Sequence, residues 1–179
     1  MTLISDLKNI SKNISGKVLV IGLENKTVLQ VLDKNTKITE LYTMKFNGKK
    51  KTKDKCSGKR GKTISIKKIR KVFKKKRIDY IICNIEDINK FLRTFIRDSV
   101  YINKTKLYIY GTKDNLDSEL IEKRYKRYNT NIVITEYNKE LLIEIDNSNA
   151  YNSKIKDMFY NISDIGYNIV SAIGDLLIS

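Results

Sequence analysis

The sequence predicts an α/β fold with a doubly wound, mostly parallel sheet, and three patterns in the chain indicate it. Gly16 to Leu32 has the pattern of a strand, a glycine turn and a helix, which is the opening unit of such sheets. Apolar runs typical of strands then alternate with amphipathic helical runs, which favours parallel strands joined by helices. Finally, two strand-like runs follow each other directly, which predicts a closing antiparallel hairpin.

The opening unit is the clearest of these patterns. Val18 to Ile21 form an unbroken, mostly β-branched apolar run, which suits a strand buried on both faces of a parallel sheet. Gly22 ends this run, and either Asn25 or Thr27 is suited to cap the helix that follows. Ligands of doubly wound sheets bind at the carboxyl ends of the strands, so Gly22 marks the expected side for a ligand.

The other elements follow from the same periodicities. The sheet is predicted to have seven strands, at 18–21, 37–44, 63–66, 78–84, 107–110, 132–136 and 141–145. Helices are predicted at 3–14, 28–32, 66–73, 88–96, 116–128 and 153–177. Gly111 is predicted to end the strand that begins at Leu107. We expect residues 1–150 to form one domain with a basic insertion at 45–77, followed by a C-terminal amphipathic helix within 151–179.

Composition limits the compartment and the chemistry. Two cysteines, Cys56 and Cys83, form no disulfide framework, and we expect a cytoplasmic protein without a signal peptide or a membrane span. Cys83 lies in an apolar run and is predicted to be a core residue. The chain has no histidine, which excludes Ser-His and Cys-His nucleophile pairs and histidine-containing zinc sites. Two cysteines cannot complete a thiolate zinc site, so no metal is expected.

The positive charge is confined to one part of the chain. The net charge is +16, and residues 45–77 contain 17 Lys and Arg against one acid, Asp54, so the remainder is neutral. We call residues 45–77 the basic block. Because phosphates attract Lys and Arg, the block predicts binding to RNA or another polyanion. The alternative is a solvated loop and helix face. The candidate contact residues are Lys49, Lys50, Lys51, Lys53, Lys59, Arg60, Lys62, Lys67, Arg70 and Lys71.

Two further basic motifs occur in the chain. Gly58 to Thr63 resembles part of a phosphate-binding loop, but Cys56 stands where the first glycine of that motif belongs and no strand precedes it. Near residue 125, Tyr125 and Tyr128 alternate with four cations, a pattern that would allow bases to stack beside phosphates. A helix with a solvated basic face explains the same tract equally well.

The predicted C-terminal helix has an apolar stripe that needs a partner surface. Its members are Ile155, Met158, Ile162, Ile165, Ile169, Ile173 and Leu176. The stripe either packs on the chain's own sheet or forms the seam of a homodimer. The opposite face carries Asp157, Asp164 and Asp175, which argues against binding to an anionic membrane.

The order of the elements resembles that of the class I S-adenosylmethionine-dependent methyltransferases, whose sheet ends in an antiparallel strand. The resemblance covers residues 3–146 and is most specific between Ile78 and Gly111, where a D-Y-I-I-C-N strand, an amphipathic helix and an L-Y-I-Y-G strand succeed one another. The chain is also similar to small methyltransferase-like proteins of low-GC bacteria. The resemblance implies a seven-stranded Rossmann-type sheet of methyltransferase topology.

The family's cofactor motif is degraded in this chain. In the family, the first strand ends in acid-x-Gly-x-Gly-x-Gly, and those positions are Val20, Gly22, Glu24 and Lys26 here. Only Gly22 matches. Glu24 would place a carboxylate beside the carboxylate of the cofactor, and like charges repel.

Two further cofactor-binding residues are implied by the resemblance. Glu40 would be the acid that holds the ribose hydroxyls, and a surface glutamate on a strand is the alternative. Asn84 ends the strand that corresponds to the family's fourth, although Asn84-Ile-Glu-Asp87 replaces the Asn-Pro-Pro-aromatic sequence of enzymes that methylate amines. No catalytic residue is assigned.

Together these patterns imply a methyltransferase-fold protein that uses S-adenosylmethionine if it is active and binds RNA or another polyanion through the basic block. The alternative is a non-catalytic binding or assembly protein that has kept the sheet and lost the cofactor.

Overall fold

The computed structural model describes residues 2–44, 69, 73, 75, 77–88 and 92–150. Within these residues the strands are β1 (Gly16–Ile21), β2 (Ile38–Met44), β3 (Ile78–Asn84), β4 (Asn103–Thr112), β5 (Asn131–Glu136) and β6 (Glu140–Asp146). The helices longer than one turn are α1 (Leu3–Asn13), α2 (Lys26–Lys34), α3 (Leu92–Ile102) and α4 (Ser118–Lys126). A single helical turn, Ile85–Ile88, and a 3₁₀ turn, Lys113–Asn115, lie between them.

The described strands form one mixed sheet in the order β2-β1-β3-β4-β6-β5. β2, β1, β3 and β4 run parallel, and β6 pairs antiparallel with both β4 and β5. The predicted α/β sheet, mostly parallel and closed by an antiparallel hairpin, is therefore confirmed. The predicted seventh strand at 63–66 and the C-terminal helix within 151–179 lie outside the described residues.

β1 is buried on both faces, as its composition predicts. Val18, Leu19, Val20 and Ile21 are each at most 2% exposed. The helix after it begins at Lys26, and its cap is Asn25, whose Oδ1 accepts hydrogen bonds from the backbone N–H groups of Thr27 and Val28 at 3.1 Å each. Of the two capping residues that the sequence allowed, Asn25 therefore caps the helix.

Each face of the sheet has its own apolar layer. On the first face, α1 and α2 cover the sheet through residues such as Leu7, Val28 and Leu32. On the second face, α3 and α4 cover it, and Ile69 and Phe73 belong to the same cluster. No helix in the described part of the chain is long and apolar enough to cross a membrane.

The second layer contains Cys83 and extends to β2. Cys83 is fully buried among its apolar residues, as predicted from its place in the β3 run. Phe73 meets the ring of Tyr42 on β2 edge-on, with centroids 4.9 Å apart.

The structure corrects the predicted ends of several elements. Gly111 does not end β4, because the strand continues to Thr112 and Gly111 pairs with Leu141 of β6. The helix predicted at 116–128 is shorter, beginning after Asp117, whose Oδ1 accepts a hydrogen bond from the N–H of Leu120. The helix predicted at 88–96 corresponds to the turn at 85–88 and to α3, with 89–91 outside the described residues.

Gly111 lies where the chain has no room for a side chain. A Cβ atom at this position would come within 2.2 Å of Ile85 Cγ2 and 3.8 Å of Leu116 Cδ1. The helical turn after β3 therefore packs directly on the β4 backbone. This close approach, and not a break in the strand, explains the glycine.

We predict that Gly111→Ala destabilises the protein by about 1–3 kcal/mol, because the added methyl group overlaps Ile85 Cγ2. Urea unfolding measures the change. The matched control is the same substitution in an Ile85→Ala background, where the obstructing methyl group is gone and the added Cβ fills part of the space. There Gly111→Ala should cost less than half as much. An equal cost in both backgrounds would contradict this packing account.

Candidate cofactor and polyanion sites

The carboxyl ends of β1 and β3 lie side by side, and two of the predicted cofactor residues meet there. The register pairs Ile21 with Cys83, so Gly22 and Asn84 are neighbours on adjacent strands. Gly22 has φ of +65°, a left-handed conformation that glycine adopts without a steric penalty. The structure therefore brings Gly22 and Asn84 together at the edge where doubly wound sheets bind ligands.

The loop after Gly22 differs from a glycine-rich phosphate or carboxylate loop. Glu24 is exposed in this loop, between Gly22 and the start of α2. Asn25 Oδ1 accepts from two of the first N–H groups of α2. Those N–H groups are the donors that a helix N-terminus otherwise offers to an anion. The turn is thus present, but its helix donors are engaged and a carboxylate lies beside it.

Asn84 is fixed by a local turn. Its Oδ1 accepts from the backbone N–H of Glu86 at 3.0 Å, while its Nδ2 donates to none of the described residues. Glu86 Oε1 in turn accepts from Asn115 Nδ2 at 3.3 Å. The loops after β3 and β4 are therefore joined at this edge.

One polar group at the same edge was not predicted from the sequence. Thr112, the last residue of β4, has a buried Oγ1 that finds no hydrogen-bond partner among the described residues. The signal in the sequence was the continuation of the polar–apolar pattern past Gly111. The adjacent Lys113 donates its backbone N–H to Lys139 O at 3.0 Å, and its Nζ lies 2.7 Å from Glu136 Oε2. These contacts tie the end of β4 to the hairpin.

Glu40 does not join this group. The register places Glu40 opposite Lys17. Lys17 lies four residues before Ile21, so at the rise of a strand Glu40 is about 13 Å from the carboxyl edge. There Glu40 forms an ion pair with Lys17, accepts a hydrogen bond from the Tyr42 hydroxyl, and lies 4.0 Å from Arg77 Nη2. These contacts match the alternative of a strand surface glutamate.

The partners of Glu40 change its acidity. The hydrogen bond from Lys17, followed by that from Tyr42, holds the pKa of the Glu40 carboxyl below its ordinary value, and the nearby charge of Arg77 acts in the same direction. Because the folded-state pKa is depressed, the ionised carboxylate stabilises the fold above the unfolded pKa of about 4.3. This contribution disappears as the pH falls through the folded-state pKa.

We predict that Glu40→Gln lowers the free energy of unfolding at pH 7 by about 0.2–1 kcal/mol, since the side chain is 39% exposed and solvent screens the pair. The difference from the unsubstituted protein should shrink steadily below about pH 4.3. Thermal unfolding between pH 3 and pH 7 measures it. Glu24→Gln, an equal charge change at an exposed position, is the control and should change the free energy of unfolding at pH 7 by less than about 0.5 kcal/mol.

The ten predicted polyanion contacts, from Lys49 to Lys71, lie outside the described residues. Of the basic block, the structure describes Ile69, Phe73, Lys75 and Arg77. Ile69 and Phe73 are 1% and 3% exposed, and the N–H of Phe73 donates to Ile69 O at 2.8 Å, which places both side chains on one side of a helical turn. Lys75 and Arg77 are exposed. This part of the block is therefore anchored by two apolar side chains and exposes its cations.

The tract near residue 125 lacks the exposed rings that base stacking needs. Tyr125 is fully buried and Tyr128 is 9% exposed. The Tyr125 hydroxyl forms a hydrogen bond of 2.7 Å with Ser99 Oγ, and burial raises its pKa well above the ordinary value. The stacking hypothesis for this tract is wrong, because both tyrosine side chains pack in the core beneath α4. Lys123 and Lys126 remain exposed on its outer side.

A separate concave region of about 440 Å³ lies on the first face, between α1 and the sheet. Its polar walls include Asp6, Lys106 and Glu144. Lys106 Nζ lies 2.5 Å from Glu144 Oε1, a contact that raises the pKa of Lys106. The Tyr137 hydroxyl donates to Asp6 at 2.5 Å. Each of these three charged groups therefore already has a hydrogen-bond partner.

No group of three or more His, Cys, Asp or Glu side chains that could hold a metal ion occurs within the described ranges.

Comparison with solved structures identifies the type of fold. A methyltransferase dependent on S-adenosylmethionine from Archaeoglobus fulgidus matches 79% of this chain and 91% of its own, with 11% identity and a TM-score of 0.59. M. capricolum TrmK in complex with S-adenosyl-homocysteine matches 86% of this chain and 71% of its own, with 17% identity and a TM-score of 0.54. The 16S rRNA N2 G1207 methyltransferase of T. thermophilus matches 85% of this chain and 40% of its own, with 7% identity and a TM-score of 0.54.

No protein-family model and no curated protein matches the chain. The structural similarities, all at low sequence identity, show the fold. The chain has the α/β fold of the S-adenosylmethionine-dependent methyltransferases, as its resemblance to that family implied.

Proposed function

We propose that this chain is a methyltransferase-like protein that binds S-adenosylmethionine weakly at the carboxyl edge of β1 and binds RNA through the basic block. The observation that carries the proposal is the left-handed Gly22 turn beside Asn84, at the switch between β1 and β3 of a methyltransferase-type sheet. The solved neighbours include a methyltransferase with S-adenosyl-homocysteine bound and one named for 16S rRNA.

The residues at this edge fit the cofactor only in part. The Gly22 turn allows a ligand to approach the backbone closely, and Asn84 Nδ2 is a donor next to it. Glu24 opposes the carboxylate of the cofactor, and Asn25 engages the helix N–H groups that would receive it. Glu40 lies too far from the edge to hold the ribose. Weak binding follows from this combination.

A non-catalytic binding protein is the second candidate, and the Asn25 cap favours it. The cap satisfies the Thr27 and Val28 N–H groups internally, so the start of α2 is stable without any ligand. A fold in which the N-terminus of α2 needs no ligand serves as a scaffold for the basic block. Under this candidate the protein binds RNA in the absence of any cofactor.

We predict that calorimetry with S-adenosyl-homocysteine detects binding that depends on the Gly22 turn and is opposed by Glu24. Glu24→Gln should tighten binding by about two- to fivefold at low salt, because one like charge is removed near the ligand carboxylate. Gly22→Val should abolish binding, since a β-branched residue does not fit φ of +65°. Glu119→Gln, an equal charge change on the outer side of α4, is the control.

The outcomes separate the two candidates. Tighter binding in Glu24→Gln with no change in Glu119→Gln supports a cofactor at this edge, and it does so even if the valine variant fails to fold. Equal affinity in all folded variants would place the ligand elsewhere. No binding by the unsubstituted chain would contradict cofactor use and leave the scaffold as the function.

We predict that RNA binding weakens steeply with salt and depends on the basic block. For n contacted phosphates, the log–log salt slope should be near −0.7n with a single strand. Replacing Lys49, Lys50, Lys51, Lys59, Arg60 and Lys62 by Gln should flatten the slope. Fluorescence anisotropy with a labelled single-stranded RNA measures it. An unchanged slope in this variant would return the block to the solvated-surface interpretation.

A further inference from the structure

The concave region between α1 and the first face of the sheet has the size of a small-molecule site. We call it the α1 cavity. Its volume is about 440 Å³, and ligand sites in proteins commonly measure about 300–1,000 Å³. It is lined by α1 and by residues of β3, β4, β5 and β6. Gly22, Glu24 and Asn84 are not among its lining residues, so the cavity is separate from the cofactor edge.

The floor of the α1 cavity consists of neighbouring side chains on three strands. The register pairs Tyr80 with Lys106, and it pairs Tyr108 with Glu144. Tyr80 and Tyr108 pack with the apolar cluster of the first face, and alternate residues of a strand share a face. All four side chains therefore point to the same side. The floor combines two aromatic rings with one ion pair, Lys106–Glu144.

α1 supplies the opposite wall with a polar stripe. Asp6, Asn9 and Asn13 all line the cavity, and their spacing of three and four residues places them on one side of the helix. The Tyr137 hydroxyl in the hairpin loop donates to Asp6 at 2.5 Å. This contact joins residues 131 positions apart in the chain and fixes the helix against the hairpin.

The charged groups of the cavity already have partners. Lys106 pairs with Glu144, and Asp6 accepts the hydrogen bond from the hairpin. Asp146, the next carboxylate on this side of β6, accepts from the backbone N–H and the hydroxyl of Ser148 at 2.8 and 2.6 Å. The lining residues carry two carboxylates and one ammonium group. An anionic ligand would thus be repelled, and a cationic ligand would meet carboxylates that are already engaged. An uncharged ligand fits these walls best.

The neutral polar side chains of the cavity are in the opposite situation. Five of them have no hydrogen-bond partner among the described residues. They are the hydroxyls of Tyr80, Tyr108 and Thr135 and the amides of Asn9 and Asn13. The cavity therefore offers several donors and acceptors beside its two aromatic rings.

Tyr108 carries the argument, because its side chain is nearly buried while its hydroxyl lacks a partner in the described chain. The residue is 5% exposed. Its hydroxyl is not one of the fully enclosed polar atoms without a partner, so it opens into the cavity. Burial, followed by the charge of Glu144, raises the pKa of Tyr108 well above its ordinary value. The hydroxyl stays protonated at neutral pH and is available as a donor.

We propose that the α1 cavity binds an uncharged nucleoside through its base. Aromatic side chains contact the faces of unpaired bases, and an asparagine amide matches the donor and acceptor pair on the edge of adenine. Tyr80 and Tyr108 supply the rings, while Asn9 and Asn13 supply the amides. The inference does not rest on the proposed function, because it involves neither the cofactor edge nor the basic block.

The experiment is calorimetry of the full chain with adenosine at about 0.15 M salt. Tyr108→Phe keeps the ring and should weaken binding about three- to tenfold, as the loss of one neutral hydrogen bond does. Asn9→Ala combined with Asn13→Ala should weaken it at least about tenfold, and alanine preserves the helix. Tyr125→Phe and Ser5→Ala remove hydroxyls outside the cavity and should leave the affinity within about twofold. Thermal unfolding checks that each variant folds.

Two further ligands test what the cavity recognises. Adenosine monophosphate should compete with adenosine at least about fivefold more weakly than adenosine itself, because its phosphate adds negative charge near Asp6 and Glu144. Ribose, which has the hydroxyls but no base, should not compete.

Each contrary result overturns the proposal in an identifiable way. Adenosine binding that depends on Gly22 and not on Tyr108 would place the base at the cofactor edge. Equal competition by ribose would show that a sugar is recognised, and equal competition by the monophosphate would contradict the charge argument. If the unsubstituted chain does not bind adenosine at millimolar concentration, this inference fails, while the proposed function is judged separately by the Glu24→Gln and RNA measurements.

Discussion

Burial of the central parallel strands on both faces is the constraint on which the rest of the structure depends. The four residues from Val18 to Ile21 are almost completely removed from water, a gross gain of roughly 6–12 kcal/mol at about 1.5–3 kcal/mol for each side chain. That gain is comparable with the net stability of a typical domain, about 5–15 kcal/mol. β3 is placed alongside in register, with Ile81 and Ile82 also fully buried. Since the buried residues of β1 and β3 are apolar, the polar groups at the carboxyl edge of these strands come where the apolar runs end. Gly22, Asn84 and Thr112 collect at one edge for this reason.

Close packing near the carboxyl ends of the strands explains two features that have no chemical role, the glycine at position 111 and the cap at Asn25. Gly111 has no side chain because Ile85 occupies that space, and Asn25 caps α2 because the helix must begin immediately after the turn. From the sequence alone, Gly111 was predicted to end its strand, and Asn25 was one of two candidate caps for the helix. In the fold, the first allows the turn after β3 to rest on β4, and the second closes a helix end. The cap also engages two N–H groups at the edge where we propose that the cofactor binds, which links local helix stability to the proposed weak binding.

The distribution of charge between the two faces follows from strand alternation. Along β6, the apolar residues Ile143 and Ile145 point to the layer of α3 and α4, so Glu144 and Asp146 point to the opposite face. The same alternation directs Lys17 and Glu40 toward each other on neighbouring strands. As a result, the carboxylates of β6 lie away from the face where Ile69 and Phe73 are buried. A chain with a large positive charge thereby presents two electrostatically different surfaces.

The sequence by itself determined the strand–turn–helix unit, the mostly parallel sheet with its antiparallel hairpin, and the burial of Cys83. These depend on local apolar periodicity and on the short reach of a glycine turn, which are properties of neighbouring residues. The tertiary structure alone decided the position of Glu40, because a register between β1 and β2 separates it from the carboxyl edge although its sequence position suits a ribose contact. It also decided that Tyr125 and Tyr128 face inward, since α4 must bury one side against the sheet and the periodicity of a basic helix does not reveal which side carries the rings. Gly111 is the same kind of case: its neighbour in space, Ile85, is 26 residues away in the chain. Local pattern specifies an element, but which surfaces meet is a property of the packed sheet.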